Sequence, residues 1–154
     1  MRRKNIFLIF IYLILLNCGF ELANIQSNFN IDKIETTGDK RINYKLKTKI
    51  LNKVKSNAKN IIELDINSKK IKSIKEKNTS NQITKYEINI ITLIKYKSLT
   101  NTKEGEFTLS KKGDYNVFSK YSDTLNEEKN LINILLQDLS DDILETLIIN
   151  IDDN

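Results

Sequence analysis

Few residues in this chain can start chemistry. Its 154 residues include no His, one Cys and no Trp or Pro. Imidazole acid–base catalysis, Ser/His and Cys/His nucleophiles, intrachain disulfides and zinc sites built on Cys and His are therefore excluded. Carboxylates, lysines, hydroxyls and one thiol remain. Asp141 and Asp142 are adjacent, and successive side chains on a helix point about 100° apart, so these carboxylates do not converge as acid and base. The four glycines, at 19, 38, 105 and 113, form no phosphate-cradling loop. The expectation is a non-enzymatic protein with no cofactor and no metal. The thiol is the exception: Cys18 directly follows an uninterrupted apolar run, Ile6 to Leu16, itself preceded by Arg2, Arg3 and Lys4.

A positive start, a short apolar stretch and a boundary residue are the layout of a secretory signal. As a helix the run extends roughly 16 Å, about half of a ~30 Å hydrocarbon core, too short to span it. Residues 1–17 are thus expected to be a signal peptide, and 18–28 a tether. The stretch Leu15, Leu16, Asn17, Cys18, Gly19 resembles the lipobox of bacterial lipoproteins. Leu15 and Cys18 match that pattern, while Leu16 and Asn17 stand where Ala or Ser and Gly or Ala are usual. The resemblance implies lipid attachment at Cys18 and a membrane anchor, and it accounts for an odd Cys without a partner.

The formal charge of +5 invites a nucleic-acid reading. Without Arg2, Arg3 and Lys4, 22 basic residues face 20 acidic ones, a net +2. That balance gives little support to neutralisation of a phosphate backbone, and no nucleic-acid partner is expected. Ile (25), Lys (22) and Asn (20) make up 67 residues, a bias that places Lys on any exposed face. Lysine clusters are weaker signals here for that reason.

The elements that must position any site follow from periodicity. Phe29 to Thr36 reads as a short strand, and Thr37, Gly38 and Asp39 as a turn. Ile42, Leu46, Ile50, Leu51 and Val54 give one helical face over Arg41 to Asn57. Ile62, Leu64 and Ile66 mark a second strand with a polar extension to Ile74. From Ile83 to Lys97, apolar and polar residues alternate as in a half-buried strand. After a turn over Ser98 to Gly105, Phe107, Leu109, Tyr115 and Val117 imply a fourth strand, with Gly113 marking a bulge. Thr124 and Glu127 stand at capping-box spacing. Beyond them Leu125, Ile132, Leu136, Leu139, Ile143 and Leu147 form the ridge of a long amphipathic helix. The order β-α-β-β-β-α predicts an α+β two-layer sandwich over 29–154: a four-stranded mixed sheet with two helices on one face.

The lipobox with Gly19 and Phe20, the strand Thr84 to Thr92 and the segment Tyr115 to Leu147, with acidic pairs at Glu127/Glu128 and Asp141/Asp142, together resemble the lipopolysaccharide-assembly (LptE-like) lipoproteins of the Gram-negative outer membrane. The resemblance implies an outer-membrane, lipid-anchored, periplasm-facing protein. It would plug or support the outer-membrane β-barrel protein of the lipopolysaccharide translocon and assist lipopolysaccharide transport and assembly. It also implies glycolipid contacts by basic residues near the strand 2 to strand 3 turn, here Lys75 and Lys77, and near the start of the last helix, here Lys120, with Lys129 a neighbour. The alternative is a generic cell-envelope, lipid-anchored binding module without a lipopolysaccharide role.

Overall fold

The computed structural model describes residues 29–54 and 58–152. The expected signal peptide, Cys18 and the tether lie outside the described residues. The elements are β1 (Phe29–Gly38), α1 (Lys40–Leu51), β2 (Asn60–Lys77), β3 (Ile83–Ser98), β4 (Glu104–Asn116) and α2 (Tyr121–Asp152). Strands stand in the order β1-β2-β3-β4, with β1 parallel to β2 and the other neighbours antiparallel. This is the expected α+β sandwich with a four-stranded mixed sheet and two helices.

The alternation in β2 and β3 selects the covered face. Ile62, Leu64 and Ile66 are buried on β2, and Ile88, Ile90 and Ile94 on β3. Between them Ser68 and Thr92 place two hydroxyls 3.0 Å apart, so each satisfies the other inside the core. Above the sheet, α1 contributes Ile42, Leu46 and Ile50, and α2 contributes Leu136, Leu139, Ile143 and Leu147, all in one cluster. Burying each such side chain is worth about 1.5 to 3 kcal/mol, which fixes the helices in place. Between the helices, Lys45 donates to Asn133 (2.9 Å) and Lys49 to Gln137 (2.8 Å), while Lys53 pairs with Asp141.

The corner from β1 into α1 is set by Gly38. Its φ of +88° is left-handed, and a Cβ there would lie 2.3 Å from the Ser68 carbonyl oxygen. That carbonyl accepts from the Asp39 N–H at 2.8 Å, while the Asp39 carboxylate caps α1 by accepting from Arg41 and Ile42 N–H. The helix stops at Leu51 instead of reaching Asn57, though Val54 still packs against the core.

Three local expectations are corrected. Gly113 pairs in regular register with Ile88, so it marks no bulge; it lies instead under a close approach of α2, where a Cβ would meet the Leu131 Cδ1 methyl at 2.7 Å. The strand-pairing irregularities sit instead at Ile31/Lys33 of β1 and at Ile74/Glu76 and Glu76/Lys77 of β2. Secondly, β4 begins at Glu104, which takes Gly105 into the strand against the Tyr96 ring. Finally, α2 starts at Tyr121, so Thr124 lies in its first turn and is no N-cap. The Thr124 hydroxyl accepts from Phe118 N–H (2.9 Å) and donates to the Phe118 carbonyl (3.4 Å), tying the β4–α2 connection to the helix.

Candidate functional site

β2 has 18 residues and spans about 60 Å, whereas the 12 residues of α1 span about 18 Å. The far half of β2 therefore extends beyond the cover of α1. Its covered-face parity continues from Ser68 through Lys70, Lys72 and Ile74, so two ammonium groups sit where the alternation otherwise puts apolar side chains. These partly exposed heads gain from a counter-charge beside them. Glu128, from the first turns of α2, supplies it.

Lys72 Nζ and the Tyr115 hydroxyl each donate to Glu128 Oε2 at 2.7 Å, and Lys70 Nζ stands 3.6 Å from Oε1. Tyr115 stacks on Tyr86, with centroids 5.8 Å apart and planes inclined by 29°. The Lys72 ammonium lies over the Tyr86 ring at 4.3 Å, a cation–π contact. Burial works against the Glu128 carboxylate, yet the hydrogen bonds from Lys72 and Tyr115 prevail and hold its pKa below the ordinary value. Burial likewise disfavours the Lys72 ammonium, and the bonds to Glu128 and Tyr115 outweigh it, so its pKa is raised. For Tyr115, burial and then Glu128 push the phenol upward.

Beside this cluster opens a groove of about 500 Å³, bounded by Lys72, Tyr86, Phe118, Tyr121, Leu125 and Glu128. Two of its lining residues, Phe118 and Tyr121, are exposed aromatics. Two ammonium groups against one carboxylate leave a local +1 beside aromatic and aliphatic walls. That combination suits an amphiphile carrying an anionic group. It offers no nucleophile paired with a base.

The expected contact lysines are dispersed. Because β2 runs to Lys77, the hairpin turn is Asn78 to Gln82, closed by the Asn78 carboxamide accepting from Ser80 and Gln82 N–H. Lys75 and Lys77 therefore belong to the strand. Lys75 Nζ pairs with Asp114 at 2.7 Å, and Asp114 also faces Lys85 at 3.7 Å. This pairing lies on the helix-free face, opposite the groove. The Lys75 bond, the larger influence, lowers the Asp114 pKa and raises that of Lys75. Lys77 donates to Asn81 at 3.0 Å. Lys120 is exposed, immediately precedes the groove-lining Tyr121, and has no side-chain partner among the described residues. Lys70, Lys72, Tyr115 and Glu128 were not singled out from sequence as a site. The signal was available: lysines on the apolar parity of β2, and an acid seven residues before Leu135 on the buried face of α2.

No protein-family model matches the chain, and no curated protein sequence does. Solved structures do share its fold. Rare lipoprotein B from Shewanella oneidensis superposes with a TM-score of 0.55 at 15% identity, over 75% of this chain and 93% of that one. A candidate lipoprotein from Caulobacter crescentus gives 0.53 at 13% identity, over 79% and 92%. Lipoprotein B from Nitrosomonas europaea, of uncharacterized function, gives 0.50 at 16% identity, over 88% and 94%. Among the described residues no helix is long and apolar enough to cross a membrane.

Proposed function

We propose that this protein is a non-enzymatic outer-membrane lipoprotein, acylated at Cys18 and facing the periplasm, that supports or plugs a β-barrel translocon and assists lipopolysaccharide transport and assembly. The observation that carries the reading is the fold shared with lipoprotein structures over three quarters or more of the chain, in a sequence whose only Cys follows an apolar leader run. The groove supports it further, since a glycolipid offers both acyl chains for Phe118, Tyr121 and Leu125 and phosphates for lysines. Lys120 is the most available of the proposed contacts; Lys75 and Lys77 would first have to release Asp114 and Asn81.

The test is affinity capture of the full-length protein from detergent-solubilised outer membranes, with lipopolysaccharide and barrel proteins both assayed. Co-purification of one barrel and of lipopolysaccharide is expected, lost together with membrane association in Cys18→Ser. A lipidated protein that captures neither would leave a lipid-anchored binding module of another kind.

A further inference from the structure

β1 and β4 are the two edges of the sheet, and they are guarded differently. β1 carries devices that blunt an edge: an irregularity between Ile31 and Lys33, and the charges of Asp32, Lys33 and Glu35. β4 runs 13 residues in unbroken register with β3, from Glu104 opposite Lys97 to Asn116 opposite Lys85, without a bulge or a Pro. The bonds from Ser98 N–H to Lys103 O (2.8 Å) and from Val117 N–H to Thr84 O (2.9 Å) fix the alternation. Odd-numbered residues of β4 bond to β3, so the even-numbered ones, from Glu104 to Asn116, direct N–H and C=O away from the sheet.

The side chains of those even residues stand on the helix-free face. Four of them are charged. Glu106 pairs with Lys95 at 3.4 Å and Asp114 with Lys75 at 2.7 Å. Glu104 and Lys112 have no ion-pair partner among the described residues, and they are symmetric about Thr108.

We propose that β4 pairs antiparallel with β4 of a second copy about a two-fold axis at Thr108, joining two four-stranded sheets into one. Glu104 of each copy then faces Lys112 of the other. Thr108 meets its own counterpart, Glu106 faces Ser110, and on the helix side Phe107 faces Leu109. No like charges are opposed. Moving the axis to Leu109 sets Glu104 against Asp114, and moving it to Ser110 sets Glu106 against Asp114; directly opposed like charges destabilise both. The interface is isologous, so it closes at two copies.

The full-length protein in detergent should sediment as a dimer. Thr108→Cys should give a disulfide-linked dimer, because hydrogen-bonded antiparallel partners sit about 5.5 Å apart between Cα atoms, within disulfide reach. Asp32→Cys, on the guarded edge, should not. Glu104→Lys or Lys112→Glu alone should weaken dimerisation about tenfold, two symmetry-related pairs turning repulsive, and the double variant should restore it. Ser110→Pro removes an N–H that only the second copy uses, so it should leave a folded monomer by circular dichroism. A chain that stays monomeric at every concentration overturns the proposal. So does a dimer indifferent to the charge swap, or a strand of another protein held at β4 by a chain that does not self-associate.

Discussion

The Lys72 ammonium donates to the Glu128 carboxylate at 2.7 Å across the gap between the far half of β2 and the start of α2. α1 does not reach this end of the sheet, so Glu128 is the point at which α2 is tied to β2 by charge. Its Oε2 is shared with the Tyr115 hydroxyl. One carboxylate thereby connects β2, β4 and α2, and the groove wall depends on it.

Replacing Glu128 with Ala leaves a partly buried hydroxyl and two ammonium groups without their acceptor. The expected cost is about 1 to 3 kcal/mol. Glu127→Ala, on the exposed side of the same turn, should change stability by no more than about 0.5 kcal/mol. Urea unfolding of the two variants checks the contrast. Equal midpoints would mean that the cluster contributes nothing to holding α2.

Acid should loosen the same region. The Glu128 pKa is lowered in the fold from its ordinary value of 4.5 and that of Asp114 from 3.8. Depressed carboxylates contribute stability that is present above the unfolded values and is lost as pH falls through the folded ones. Stability should thus decline below about pH 4.5, and less steeply in Glu128→Gln. Lys72, raised above 10.5, acts in the opposite sense. Its contribution is complete below that value and disappears as pH rises through the folded pKa. Denaturant midpoints across both limbs test the signs.

Much of the fold was legible because the chain alternates cleanly. Ile88, Ile90, Thr92 and Ile94 share one parity, and Leu136, Leu139, Ile143 and Leu147 share one helical face; each pattern admits one buried side. Gly113 was misread because glycine looks the same in sequence whether it permits a bulge or a close approach, and only the position of Leu131 decides. Thr124 was misread because a hydroxyl three residues before an acid fits a cap at any helix start, and this helix starts at Tyr121. The candidate groove was illegible for a further reason. It depends on α1 ending at Leu51 while β2 continues to Lys77, a mismatch of lengths that periodicity does not report.

The glycines separate by what a methyl group would meet. Gly38→Ala forces an L residue into φ +88° and a Cβ to within 2.3 Å of a backbone oxygen that already accepts the Asp39 N–H. Backbone cannot yield there. A loss of about 1 to 3 kcal/mol is expected. Gly113→Ala meets Leu131 Cδ1, the far end of a flexible side chain, and should cost less. Thermal unfolding that ranks Gly113→Ala as the more damaging change would contradict this reading of the β1–α1 corner.

Lys120 and the pair Lys75/Lys77 should differ in glycolipid binding. A lysine already in an ion pair gives up that pair to engage a phosphate, so its net gain is small; Lys75 has Asp114 at 2.7 Å, and Lys77 is bonded to Asn81. Lys120 surrenders only water, and the next residue, Tyr121, lies on the groove rim. Exposed charge contacts are worth about 0.2 to 1 kcal/mol each. Reversal to Glu roughly doubles the effect by adding repulsion, so Lys120→Glu should weaken lipopolysaccharide binding a few-fold to about tenfold at low salt. The loss should shrink as ionic strength rises and shortens the screening length. Lys75→Glu with Lys77→Glu also places a second carboxylate against Asp114, which strains the sheet edge, so binding must be read alongside the unfolding midpoint. The discriminating result is glycolipid affinity measured on membrane-purified protein. Binding that falls with the double strand variant but is untouched in Lys120→Glu, both folded, would move the contact to the helix-free face and away from the groove.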